Sequence, residues 1–211
     1  MKKSNLIFAV FAFVLMSVFA SCSEEDNTVE EFPDWRNRNE AYFSDIWNTA
    51  KLNSDGSWKT ILSYALEDTI PTTSDDYIAV KVLREGTGSG CPMFTDSVKV
   101  NYRGRLIPST SYPEGYVFDQ TYSGEYNPAT AYPSTMYVGG FVDGFATALQ
   151  HMHIGDYWRV YIPYTLGYGS SDSDVIPAYS TLIFDVELVA YYRAGVDVPE
   201  SRAVEGEWIT E

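Results

Sequence analysis

Three stretches of this chain alternate between apolar and polar or charged residues, and that alternation limits the fold more than any other feature. Val98, Val100, Tyr102, Gly104 and Leu106 fall on one side of an extended segment, with Lys99, Asn101, Arg103 and Arg105 on the other. Trp158, Val160 and Ile162 alternate with Tyr157, Arg159 and Tyr161, and Leu182, Phe184, Val186 and Leu188 alternate with Ile183, Asp185 and Glu187. A period of two sends successive side chains to opposite faces, so these segments predict antiparallel strands with one face on a core and one in water. Tyr77 to Leu83 predicts a further strand. Between the strands, Phe145, Leu149 and Met152 are spaced four and three apart behind Asp143, a candidate N-cap, which predicts one short amphipathic helix. The fold class is therefore α+β, an antiparallel sheet of about five strands packing its apolar face on a single helix.

The N-terminus has a different character. Lys2 and Lys3 precede an uncharged apolar run from Leu6 to Ala20, fifteen residues long, which is short for a bilayer span and right for the central region of an export signal. The run ends Phe19-Ala20-Ser21-Cys22, which resembles a bacterial lipobox and implies a signal peptide over 1–21 and acylation at Cys22. Ser23, Glu24, Glu25 and Asp26 then resemble the acidic export signal of Bacteroidetes surface lipoproteins, within an acidic tether over 22–33. A lipid would make the chain anchored to a membrane, and an outer-membrane lipoprotein facing the periplasm or the cell surface is the expected location.

Residues 34–76 form a helical extension and linker in this reading. Trp35, Tyr42, Phe43, Ile46, Trp47 and Ala50 repeat at helical spacing, Asp55-Gly56 interrupts them, and Trp58, Ile61, Leu62, Ala65 and Leu66 predict a second short helix. The pair is too small to stand alone and serves either as a cap on the following domain or as a dimer or partner surface. The main domain covers 77–192, and 193–211 is expected to be a loose acidic tail.

Chemistry is constrained chiefly by what the chain lacks. Its 29 acidic against 14 basic residues give a net charge of −15, which argues against binding nucleic acid. No phosphate-binding loop, dinucleotide fingerprint, nucleophile elbow or zinc motif occurs. The only histidines, His151 and His153, are two apart and are expected in a solvent-exposed loop. Asp172 and Asp174 are too few for calcium. With Cys22 used for the lipid, Cys91 is left as an unpaired loop or core thiol. No cofactor is implied, and what remains is binding, or catalysis by environment.

The ordered strings between 83 and 188 resemble the FKBP-type peptidyl-prolyl cis-trans isomerase family. They are Leu83-Arg84-Glu85-Gly86-Thr87-Gly88, the strand ending Tyr102-Arg103-Gly104-Arg105-Leu106, Phe118-Asp119, Val142-Asp143-Gly144-Phe145, Ala148-Leu149-Gln150-His151-Met152, Ile162-Pro163-Tyr164 through Leu166-Gly167-Tyr168-Gly169, Val175-Ile176-Pro177, and Phe184-Asp185-Val186-Glu187-Leu188. The resemblance implies a curved antiparallel sheet, a half-barrel, wrapped over the short helix. It implies an apolar cleft for a proline ring lined by Tyr102, Phe118, Phe145, Ile176 and Phe184, with Phe145 where the family usually has Trp. Asp119 would stand at the carbonyl end, Val142 would offer its backbone N–H, and Tyr168 its hydroxyl.

Such a protein would isomerise X-Pro bonds in peptides or unfolded exported proteins. The alternative is a catalytically weak peptide-binding module or a component of a surface lipoprotein assembly on the same scaffold. Three departures from the family pattern bear on that choice. The segments from Tyr102 to Phe118 and from Asp119 to Gly139 are long, and the second is rich in Tyr, Pro and Thr. The step from Gly139 to Val142 is short. The aromatic that the family carries before the strand at Met136 has no clean counterpart, with Tyr132 the candidate substitute.

Overall fold

The computed structural model describes residues 30–67, 72–193 and 207–210. The leader, Cys22 and the acidic residues after it lie outside that set. From Glu31 onward the chain forms one compact unit. It contains helix α1 (Trp35–Leu52), strands β1 (Trp58–Leu62), β2 (Tyr77–Arg84), β3 (Ser97–Arg105), β4 (Val117–Gln120) and β5 (Ser134–Tyr137), helix α2 (Asp143–Leu149), and strands β6 (Tyr157–Ile162), β7 (Leu182–Arg193) and β8 (Glu207–Ile209). The strands make one antiparallel sheet in the order β1-β2-β6-β7-β3-β4, with β5 also pairing β3 and β8 pairing the end of β7.

The register confirms the inner face expected from the alternation. Tyr102 stands opposite Val186, which stands opposite Trp158; Gly104 stands opposite Phe184, which stands opposite Val160. Helix α2 lies on this face, and every residue from Gly144 to Leu149 is buried. The approach is close because Gly144 has no side chain, and a Cβ there would sit 2.3 Å from Ile162 Cγ2. The helix starts with Asp143 inside it rather than capping it. Val142 takes the cap position, its carbonyl accepting from the N–H groups of Phe145 and Ala146 at 3.0 Å, while the Asp143 carboxylate accepts from the Tyr64 hydroxyl at 3.2 Å.

The outer face departs from expectation. Asn101, Tyr161, Ile183, Asp185 and Glu187 were expected in water, yet all are buried. Two layers cover them. Helix α1 lies across the β1–β2–β6 end, with Trp47 5.0 Å from Tyr77 and Tyr42 6.4 Å from Tyr161, ring to ring. The aromatic stripe thus packs on the sheet in the manner of a cap. At the other end the tyrosine-rich segment after β4 folds back, stacking Tyr126 on Tyr157 at 4.8 Å, while Arg103 lies 4.6 Å from the Tyr122 ring and bonds the carbonyls of Tyr122 and Gly124.

Buried carboxylates need partners, and these have them. Asp185 takes Arg159 at 2.5 and 2.9 Å and Arg105 at 2.7 Å. Glu187 takes Arg84, Asn101 and the Tyr126 hydroxyl.

Two further expectations fail. Residues 58–62 are a strand, not a helix, because Thr60 and Ile61 are β-branched and β2 offers them a ladder from Trp58 opposite Lys81 to Leu62 opposite Tyr77. For so short a run, that pairing outweighs a three-and-four spacing. Part of the C-terminal tail is ordered as well, since Glu207–Ile209 pairs with Tyr191, Tyr192 and Arg193.

Asp185→Ala leaves Arg105 and Arg159 facing each other without a counter-charge, Arg105 with little access to water. It should lower unfolding free energy by about 3–5 kcal/mol in urea titration, and a cost under about 1 kcal/mol would show the cluster to be a surface pair in effect.

Candidate active site

Residues of β3, β4 and β7 face those leading into α2 across an open space. The gap is a cleft of about 430 Å³. All eight residues expected at the site line it: Tyr102, Phe118, Asp119, Val142, Phe145, Tyr168, Ile176 and Phe184. Phe145 is the floor, 1% exposed, with ring centroids of Phe184 at 4.7 Å and Tyr102 at 5.9 Å. Phe118 meets Phe184 edge-on at 5.4 Å. Edge-to-face rings of this kind hold one another in place, so the walls are fixed before any ligand enters.

Gly104 makes that wall possible. A Cβ there would fall 2.5 Å from Phe118 Cε2 and 2.7 Å from Phe184 Cε1, so the two rings close over the strand only because the position is bare.

The polar groups lie on the rim. The Tyr102 hydroxyl donates to Asp119 Oδ2 at 2.5 Å. Burial, and then this bond, pushes the Tyr102 phenol well above its ordinary range, so it stays protonated and continues to orient the carboxylate. Tyr168, 44% exposed, projects from a turn closed by Gly169 N–H to Tyr164 O at 2.9 Å, with Gly169 at φ +73°. Ile176 is presented by a tight reversal in which Ser173 and Ile176 exchange backbone bonds at 2.9 and 2.8 Å around Asp174 and Val175. Among the described residues the Val142 N–H has no acceptor within the chain.

Some of the lining was not foreseen. The Phe141 ring lies tilted 4.5 Å from that of Phe145, and Met136 completes that side. Tyr132, the candidate for the aromatic before Met136, is 88% exposed and outside the cleft, whereas Phe141 adds a ring to the lining. Phe141 precedes α2 on extended backbone, so no helical spacing marked it in the sequence. The long loops do not fill the opening: one packs on the outer face, and the other, between β3 and β4, is held at α1 by Arg38 to Pro108 O at 2.8 Å and by Glu31 to Ser109.

The chemistry outside the cleft is sparse. Both histidines are exposed, and among the described residues no group of His, Cys, Asp and Glu is arranged to hold a metal. Cys91 is half-buried, with its sulfur 4.0 Å from His153 Nε2, and burial pushes its thiol up.

Comparison with known proteins agrees with this geometry. The model of the family described as FKBP-type peptidyl-prolyl cis-trans isomerase matches residues 89–189. These residues match the pattern of this family. Among curated relatives, the macrophage infectivity potentiator of Trypanosoma cruzi is 36% identical over 114 residues, 54% of this chain and 52% of the relative. The FKBP-type 22 kDa peptidyl-prolyl cis-trans isomerase of Escherichia coli is 34% identical over 118 residues, 56% of this chain and 51% of the relative. The matches thus span about half the length of these relatives. A crystal structure of a peptidyl-prolyl cis-trans isomerase from Pseudomonas syringae superposes with a TM-score of 0.51 at 26% identity, covering 74% of this chain and 94% of that one. The matched region is therefore embedded in a larger compact unit, since α1, β1 and β2 precede it.

Gly104→Ala tests the bare position directly. Overpacking of this kind costs about 1–3 kcal/mol, and the least resisted relief is outward rotation of Phe118. Peptide affinity should fall about tenfold or more with the circular dichroism unchanged, and unchanged affinity would mean that the rings are not held as described.

Proposed function

We propose that this protein is a peptidyl-prolyl cis-trans isomerase, lipid-anchored through Cys22 outside the inner membrane, that assists the folding of exported proteins. The observation that carries the catalytic part is the convergence of Tyr102, Phe118, Asp119, Val142, Phe145, Tyr168, Ile176 and Phe184 on one open aromatic cleft.

The reaction suits a site of this composition. An X-Pro bond prefers trans by only about 0.5–1 kcal/mol, while the rotational barrier is about 20 kcal/mol because rotation breaks amide resonance. The twisted amide has a less polarised carbonyl and a more pyramidal nitrogen than the planar one. An apolar, water-poor cleft favours that state over the planar ground state, so no nucleophile or proton shuttle is required. In this proposal the proline ring stands on Phe145 between Phe118, Phe184 and Ile176. The Val142 N–H and the Tyr168 hydroxyl are donors toward the peptide carbonyls, and Asp119, fixed by Tyr102, faces the rotating carbonyl.

Exchange NMR on a short Leu-Pro peptide tests this. Residues 23–211 should accelerate cis-trans exchange, and Phe118→Ala and Tyr168→Ala should each reduce the effect about tenfold or more. A folded parent that binds the peptide without accelerating exchange would replace the isomerase reading with that of a binding module.

The anchoring rests on the apolar leader, the small residues before Cys22 and the acidic segment after it. Cys22→Ser should move the protein from the membrane fraction to the soluble fraction of its host, and unchanged fractionation would remove the lipid from the proposal.

A further inference from the structure

Helix α1 lies before the residues that match the FKBP family, yet its first two turns are bonded to the segment that forms one wall of the cleft. Trp35 Nε1–H donates to Ser180 Oγ at 2.9 Å, and Ser180 Oγ–H donates to the Pro177 carbonyl at 2.6 Å. Asn39, 0% exposed, accepts from the Thr181 N–H through Oδ1 at 2.7 Å. Its backbone carbonyl accepts from Thr181 Oγ1 at 3.3 Å, and its Nδ2 donates to the Trp35 carbonyl at 2.7 Å. Arg36 sits 4.4 Å over the Tyr179 ring.

The gripped segment is one that needs holding. Tyr179 has φ +61°, a conformation a bulky residue keeps only where its surroundings impose it. Its N–H donates to the Gly169 carbonyl at 2.9 Å, and its ring meets Tyr164 at 5.1 Å, which ties the strained residue to the turn carrying Tyr168. Ile176 lies three residues before it. The same short stretch therefore sets the positions of both Tyr168 and Ile176 at the cleft. Asparagine is a poor helix former, and packing alone would accept an apolar residue at a fully buried helical site. A satisfied buried amide instead fixes one arrangement of the two elements it joins.

We infer that α1 is a positioning element for the cleft, in which Asn39 and Trp35 hold the 173–181 loop in the conformation that presents Ile176 and Tyr168 to a bound peptide. This deepens the isomerase reading and rests on it for its kinetic readout. Neither residue touches the cleft itself, and both act through the loop.

The test uses residues 23–211 carrying Asn39→Ala, Trp35→Phe or Trp47→Leu, well below their melting temperatures. Trp35→Phe keeps a ring beside Phe32 and removes the donor to Ser180, together with part of the ring surface beneath Arg38. Trp47→Leu loosens α1 against Tyr77, at the end of the helix away from the loop, and controls for loss of stability. Asn39→Ala should raise KM for the Leu-Pro peptide about five- to tenfold with kcat within about twofold, Trp35→Phe about two- to threefold, and Trp47→Leu should lower the melting temperature without changing KM. The Ile176 methyl resonance should shift in the first two variants and not in the third. An unchanged KM and an unmoved Ile176 methyl in folded Asn39→Ala would overturn the inference and leave α1 as a structural cap. If the parent itself accelerates no exchange, the isomerase reading fails, and the Ile176 methyl alone then decides whether α1 positions the loop.

Discussion

Strand β7 has to be buried on both sides, and the rest of the molecule follows from how each side is covered. Its inner residues, Leu182, Phe184, Val186 and Leu188, are an ordinary core against α2. Its outer residues include Asp185 and Glu187, and carboxylates withdrawn from water are tolerated only with charged or hydrogen-bonding partners close by. Those partners come from four places: β2 supplies Arg84, β3 supplies Asn101 and Arg105, β6 supplies Arg159, and the loop after β4 supplies Tyr126. Sheet order and loop path are tied together by two side chains.

The covering of the outer face explains where the added length goes. The tyrosine-rich loop packs on the Tyr157 and Glu187 rows, and the segment between β3 and β4 reaches the start of α1 through Pro108 and Ser109. Neither crosses the cleft, so a chain with enlarged loops keeps an open aromatic pocket. Helix α1 completes the same layer and, through Asn39, joins it to the pocket wall.

What could be read from the sequence divides along the same line. The inner face was legible because a core imposes a period of two on β3, β6 and β7, and the cleft residues were legible because the family resemblance marks them position by position. The outer face was not, since alternation shows which residues share a side but not whether that side is wet. Ile183 and Tyr161 on that side were the hint that a second layer exists. Residues 58–62 were misread because five residues carry too little pattern to resist the ladder that β2 provides. Phe141 was missed because it stands on extended backbone just before α2, outside both the strand alternation and the helical spacing, and only the fold brings its ring to Phe145.

The grip of α1 on the loop lies in the helix's first two turns, immediately after the chain enters the compact unit at Glu31. A pull transmitted along the preceding residues would load the Glu31–Ser109 and Trp35–Ser180 bonds before it reached any strand pairing. Under the proposed anchoring at that end, the wall of the cleft would thus be among the first parts to feel tension, ahead of the sheet beneath it.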